Sequence, residues 1–87
     1  MQFVRKVAYI SDYKLMITFD NGVVRYVDLE EHLDGEIFEP LRDINYFKTV
    51  CVNSDIDTIC WDNGADMSPD FLYEIGVEKK DDILSIR

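Results

Sequence analysis

The sequence predicts an α+β domain: a small antiparallel β-sheet of about four to five strands, built from two hairpins, with two or three short helices packed on it. Three observations predict this class. The first 30 residues are rich in β-branched and aromatic side chains, and an Asn-Gly pair divides them. Two short apolar segments, "TVCVN" and "TICWD", flank the polar stretch "SDID". The helix signals concentrate near "MSPDFLYEIG", which combines a serine, a proline and a closing glycine.

A chain of 87 residues has room for one hydrophobic core. We predict a single domain over residues 1–76, followed by a charged tail over residues 77–87 that carries at most a short extra element. With 47% hydrophobic residues the composition supports a core. No apolar run approaches the roughly 18 residues of a membrane helix, and the N-terminus lacks the features of a signal peptide. We therefore expect a cytoplasmic protein that makes no membrane contact.

The first three strands are predicted over residues 3–10, 14–19 and 23–29. The segment Ser11–Tyr13 forms the first turn. The second turn contains Asn21 and Gly22, which tolerate the positive φ angles of a two-residue type I′ hairpin better than any other pair.

A two-residue turn determines which side chains lie opposite each other. It pairs Phe19 with Val24 and Ile17 with Tyr26, so that these apolar residues share one face of the sheet. The same register directs Arg25 to the opposite face.

The middle of the chain carries weaker signals. "DLEEHL" is consistent with a helical turn opened by Asp28, with acidic residues early, where the helix dipole favours them. "IFEPL" is a packed loop or a 3₁₀ turn, because it is short and contains a proline. Asp43 has the character of an N-cap for a short helix, "INYFK".

The second hairpin is predicted to turn at residues 55–56. This register sets Val52 opposite Ile59 and Cys51 opposite Cys60. Two cysteines are too few for a disulfide framework, and we expect both to be reduced thiols in a reducing cytosol.

Residues 61–70, "WDNGADMSPD", form a strand exit, a turn and a helix start. We predict that Trp61 lies in the core opposite Val50, because it is in phase with the apolar residues of its strand. Ser68 is the N-cap of the following helix and Pro69 its first residue, and Gly76 has the character of a C′ residue.

The same loop is the predicted partner-facing segment, through Asn63 and Asp66, because connecting loops are where binding residues concentrate.

No catalytic, cofactor-binding or metal-binding residues are predicted. The calcium-binding loop pattern fails: with Gly64 at its sixth position, Ile59 and Trp61 would have to be ligands. His32 and the two cysteines lack the paired spacing of structural zinc sites. As a lone histidine on a predicted surface turn, His32 is interpreted as incidental, and no nucleotide-binding or nucleophile motif occurs.

Charge narrows the class of partner. Eighteen acidic and nine basic residues leave a net charge of −9. Nucleic-acid binding depends on clustered basic residues, so direct binding of DNA or RNA is not expected. The acidic surface favours a basic protein partner.

The order of landmarks resembles the bacterial domain of unknown function 2442 family. The resemblance covers residues 3 to about 75. The matching positions are Leu15, Phe19, Gly22, Asp28, Phe38, Leu41, Phe47, Val50, Trp61, Gly64, Asp66, Pro69, Leu72 and Tyr73. It implies a small α+β fold built on an antiparallel sheet, with no established catalytic residues. It also implies a second small protein encoded nearby, an arrangement similar to toxin–antitoxin pairs.

Together these observations predict a non-enzymatic protein-binding domain, with an antitoxin-like role in a two-protein system as its most concrete form. The expected partner is a small basic protein encoded by a neighbouring gene. Self-association into a homodimer is a further option that the sequence allows. One alternative is a small enzyme or ligand-binding domain that uses the 61–70 loop. Another is an acidic mimic of nucleic acid.

Overall fold

A computed structural model describes residues 2–79. Strands β1 (Val4–Ser11), β2 (Lys14–Phe19) and β3 (Val24–Asp28) form an antiparallel sheet in that order. Strands β4 (Cys51–Asn53) and β5 (Thr58–Cys60) form a separate two-stranded sheet.

The α+β class and both predicted hairpins, β2–β3 and β4–β5, are confirmed, but the prediction of one continuous sheet is wrong. The second hairpin has strands of only three residues, and it packs against β1 without a ladder between them. A backbone hydrogen bond joins the two units, from the N–H of Val4 to the carbonyl of Asp57 at 2.9 Å.

Within residues 2–79 one helix is longer than a single turn, fewer than the two or three helices that the sequence predicts. Helix α1 (Ile44–Phe47) is a single turn, and α2 (Pro69–Ile75) is longer. The segments Glu30–His32 and Glu39–Arg42 are 3₁₀ turns. Helix α1 and the Glu39–Arg42 turn each bury one residue, Phe47 and Leu41 respectively. The Glu30–His32 turn buries none.

Both predicted helix caps are confirmed. The carboxylate of Asp43 accepts the N–H of Asn45 at 3.0 Å. The hydroxyl of Ser68 accepts the N–H of Asp70 at 3.2 Å, and Pro69 opens α2. These caps need only neighbouring residues, which explains why the sequence predicts them well.

Gly76 ends α2 in a different way from the one predicted. Its φ of −72° and ψ of 152° are extended values, not the left-handed conformation of a C′ glycine. A glycine is required here by space, because a Cβ atom would lie 2.6 Å from the Cβ atom of Arg25.

The predicted type I′ turn is wrong, although the hairpin itself is present. The loop has three residues, 20–22. The N–H of Phe19 donates to the carbonyl of Val23 at 2.9 Å, and the N–H of Gly22 donates to the carbonyl of Phe19 at 3.0 Å. Gly22 has a φ of +87°, whereas Asn21 is not among the positive-φ residues of the described chain. This is a type I turn followed by a glycine bulge.

The extra loop residue shifts the register by one position. Ile17 lies opposite Arg25, and Leu15 lies opposite Val27. A one-residue shift moves every side chain of a strand to the other face. The predicted register would have set the carboxylate of Asp28 against Leu15, whereas the observed register buries Val27 completely.

The core lies between the inner face of the three-stranded sheet, the second hairpin and the helical turns. Trp61 is 2% exposed, which confirms the predicted core position. It does not extend the β5 ladder opposite Val50, because β5 ends at Cys60 and the N–H of Trp61 donates to the carbonyl of Ala65 at 2.9 Å.

Gly22, in the loop between β2 and β3, provides a test of the observed turn. We expect Gly22→Val to destabilise the domain by about 1–2 kcal/mol, because a β-branched residue is strained at positive φ. Gly22→Asn is the control: asparagine tolerates the left-handed region, so its effect should be the smaller of the two. Urea unfolding of both variants measures the difference, and equal effects would contradict the turn geometry.

An acidic cleft as the candidate functional site

A cleft of about 450 Å³ opens between the 3₁₀ turn Glu30–His32, the chain that follows it and the start of α2. Its volume falls within the range of small-molecule and peptide side-chain sites. We call it the acidic cleft, and it is lined by Glu31, His32, Asp34, Phe38, Asp66, Met67, Ser68 and Phe71.

The first wall of the acidic cleft is held by two buried leucines. Leu29 and Leu33 are fully buried on either side of the 3₁₀ turn. The carboxylate of Asp28 accepts the N–H of Glu30 at 3.0 Å and opens that turn. Because both ends of the turn are anchored in the core, the polar side chains between them, including that of Glu31, are exposed.

The second wall is a short extended segment that precedes α2. Ala65 and Met67 are buried, and Asp66 between them is exposed. The backbone of Asp66 forms a bridge with Cys60, and the carbonyl of Met67 accepts the buried hydroxyl of Thr58 at 2.6 Å. Successive side chains of an extended segment point to opposite sides. With Ala65 and Met67 in the core, the carboxylate of Asp66 therefore points into the acidic cleft.

Aromatic rings complete the lining. Phe38 and Phe71 are half-buried in it. The imidazole of His32 stands edge-to-face against Phe71, with ring centroids 5.1 Å apart and an interplanar angle of 84°. Aromatic faces attract cations through the ring quadrupole, so the rings and the carboxylates favour the same sign of ligand charge.

A smaller cavity of about 220 Å³ continues on the other side of the 3₁₀ turn. It is lined by Asp28, Glu30, Glu31 and His32, so the two cavities share Glu31 and His32. The acidic surface therefore extends around the turn.

Basic residues reach only the ends of this surface within residues 2–79. Arg42 lies 3.6 Å from a carboxylate oxygen of Asp34, and Lys14 lies 3.9 Å from one of Asp28. The ion pairs of this part of the chain do not include Glu31 or Asp66. Among the described residues, the carboxylates of Glu31 and Asp66 at the centre of the acidic cleft therefore form no ion pair.

The two residues of the predicted partner-facing loop lie in different settings. Asp66 lines the acidic cleft. Asn63 holds the loop itself, because its amide donates to the carbonyl of Ile37 at 3.0 Å and accepts the N–H of Ala65 at 3.0 Å. Contact of either residue with a partner stays a prediction.

Sequence reasoning did not identify the opposite wall. His32, interpreted as incidental, stands in the acidic cleft beside Glu31 and Asp34. The signal available in the sequence was the acidic run "DLEEHLD", which places several carboxylates on one short turn.

Within residues 2–79, no three histidine, cysteine, aspartate or glutamate side chains are grouped so that they could hold a metal ion. In the same part of the chain, no helix has the length and apolar character needed to cross a membrane.

Comparison with known proteins gives one family-level finding. A family model described as "Protein of unknown function (DUF2442)" matches residues 4–78. No curated protein and no solved structure gives a significant match to the chain.

Proposed function

The chain belongs to the DUF2442 family of proteins of unknown function, and on that premise we propose that it binds a cationic segment of a basic protein partner in the acidic cleft. The domain acts by binding and catalyses nothing on its own. Its partner is a small basic protein encoded by a neighbouring gene. An antitoxin-like role in the cytoplasm is the most concrete form of this proposal.

The observation that carries the proposal is the arrangement of Glu31, Asp34 and Asp66 around a cleft with aromatic walls. An arginine side chain presents planar N–H donors that suit carboxylates, and its face stacks on aromatic rings. A lysine side chain has an apolar stem that packs along phenylalanine while its ammonium group meets a carboxylate. Both kinds of contact are supported by groups that line the same cavity.

The charge of the whole chain supports the same kind of partner. A net charge of −9 accelerates encounter with a basic protein and repels nucleic acid. Association governed by exposed charges weakens as salt rises, because screening acts beyond about 8 Å at physiological ionic strength.

Charge-neutral substitutions test the acidic cleft directly. We expect a hexa-arginine peptide to bind the domain, and the double variant Glu31→Gln, Asp66→Asn to weaken that binding by about 5- to 30-fold. This range corresponds to roughly 0.5–1 kcal/mol for each exposed ion pair that is lost. Isothermal titration calorimetry at two salt concentrations measures both the loss and its screening.

A matched control removes the same amount of charge elsewhere. The double variant Asp55→Asn, Glu74→Gln alters two exposed carboxylates that do not line the acidic cleft. Its peptide affinity should fall by less than about threefold, since only the long-range field changes. Equal losses in the two double variants would show that net charge, not the acidic cleft, governs binding.

The antitoxin-like role requires a second experiment. Co-expression with the product of the adjacent gene should yield a complex in size-exclusion chromatography, and the Glu31→Gln, Asp66→Asn variant should weaken it. Failure to form a complex, DNA binding by the isolated domain at physiological salt, or turnover of a substrate would contradict the role.

The volume of the acidic cleft favours a second candidate function, the binding of a small cationic ligand. About 450 Å³ accommodates a small organic amine as well as one side chain. Titration with spermidine separates the candidates. A free amine that binds more tightly than the peptide, with no adjacent-gene complex, would favour the ligand.

A further inference from the structure

The two cysteines lie directly opposite each other in the second hairpin. Cys51 and Cys60 are cross-strand partners in the β4–β5 ladder, as the sequence predicts. Both are free thiols, and their Sγ atoms are 3.8 Å apart. Directly opposite residues of antiparallel strands have Cα atoms roughly 4.5–5.5 Å apart, which falls within the range that a disulfide spans. Side-chain rotation is therefore the main movement that bond formation requires.

The two thiols differ in their access to solvent. Cys51 is exposed, whereas Cys60 is half-buried. Burial, the hydrogen bond with Cys51 and the nearby charge of Asp66 raise the pKa of the Cys60 thiol. Because the Cys51 thiol is the more exposed of the two, it is the one that meets a reagent first.

We propose that Cys51 and Cys60 form a reversible intramolecular disulfide when the protein meets a peroxide, with Cys51 as the attacking thiol and Cys60 as the resolving thiol. The proposal is independent of the acidic cleft and its ligand. The dithiol is the resting state in a reducing compartment, and the disulfide is the oxidised state.

The reaction with hydrogen peroxide balances in two steps. The Cys51 thiolate attacks one peroxide oxygen, the O–O bond breaks, and a sulfenic acid forms while the released hydroxide takes up a proton to become water. The sulfur of Cys60 then attacks the sulfur of Cys51, the S–O bond breaks, and the leaving hydroxide combines with the proton of Cys60 as a second water. Two thiols and one peroxide become one disulfide and two waters. A dithiol reductant reverses the oxidation by thiol–disulfide exchange.

Oxidation of the intact protein tests the proposal. After treatment with equimolar hydrogen peroxide, we expect a monomer about 2 Da lighter than the reduced protein, the mass of two hydrogen atoms. Neither cysteine should then react with iodoacetamide under denaturing conditions. Because the bond closes a short loop, the midpoint of thermal unfolding should rise by roughly 5–15 °C and return to its original value with dithiothreitol.

Serine variants provide the control and the assignment of roles. Cys60→Ser retains the exposed thiol and should accumulate the sulfenic acid, which dimedone labels, or a disulfide-linked dimer. Cys51→Ser should react more slowly with peroxide. Oxidised wild-type protein that gains oxygen mass while both cysteines stay unlinked, or that forms mainly intermolecular dimers, would overturn the proposal.

Discussion

Replacing Trp61 with alanine is expected to remove most or all of the stability of the domain. The side chain is 2% exposed, and its ring centroid lies 5.7 Å from that of Phe47. Its indole N–H donates to the carbonyl of Phe47 at 3.0 Å. Removing a buried tryptophan destabilises a core by about 3–5 kcal/mol. Domains of this size have total stabilities of about 5–15 kcal/mol and lie toward the lower end.

Urea unfolding followed by far-UV circular dichroism measures the effect. The control Trp61→Phe retains an aromatic ring but loses the indole donor, which leaves the carbonyl of Phe47 without this partner. It should lose about 1–3 kcal/mol, less than the alanine variant, because the lost hydrogen bond adds to the volume that the smaller ring leaves empty. The carbonyl of Phe47 still accepts the N–H of Val50 at 3.2 Å. An alanine variant whose free energy of unfolding lies within about 0.5 kcal/mol of the wild-type value would contradict the assigned core position.

Replacing Gly76 with alanine is expected to have the second largest effect. A Cβ atom at this position would lie 2.6 Å from the Cβ atom of Arg25 and 3.0 Å from the carbonyl oxygen of Leu72. Both of these atoms are fixed to the backbone or belong to it, so a change of rotamer does not relieve the contact. Overpacking of this kind should destabilise the domain by about 2–3 kcal/mol, because α2 must move away from β3.

A double-mutant cycle separates this contact from other effects of the substitution. In an Arg25→Gly background the closest clash is absent, so Gly76→Ala should cost at least about 1 kcal/mol less there than in the wild type. The φ of Gly76 is one that any residue adopts, which removes backbone strain as an explanation. A cycle with no coupling, measured by urea unfolding, would show that the Cβ–Cβ contact is not the cause.

Arg25 illustrates how one loop residue changes the environment of a whole strand. The predicted register placed Arg25 on the face away from Ile17, whereas the observed register puts the two opposite each other. The guanidinium carbon then lies 4.3 Å from the centroid of the Tyr73 ring. This cation–π contact joins β3 to α2, and it depends on a turn of three residues.

The acidic cleft was only partly predictable from the sequence. Asp66 was identified because it lies in a polar loop before a capped helix. Its opposite wall comes from residues 31–38, far earlier in the chain, and no local pattern shows that the two segments meet. They meet because Leu33, which lies between two cleft residues, and Met67, which lines the acidic cleft, are buried in the same core. The acidic run at residues 28–34 indicated charge but not concavity.

The features that could be predicted from the sequence are those whose free energy depends on a few consecutive residues. They are the caps at Asp43 and Ser68, the existence of the β2–β3 and β4–β5 hairpins, and the register of the β4–β5 hairpin. The length of the loop between β2 and β3, by contrast, depends on tertiary packing. Asn-Gly suits a type I′ turn, and its glycine also suits a bulge after a type I turn. The local free energies of these two turns therefore differ little. Burying Val27 opposite Leu15, instead of a carboxylate, favours the longer loop by much more. The division into two sheets and the assembly of the acidic cleft also depend on tertiary packing. Both are set by which distant apolar side chains share one core.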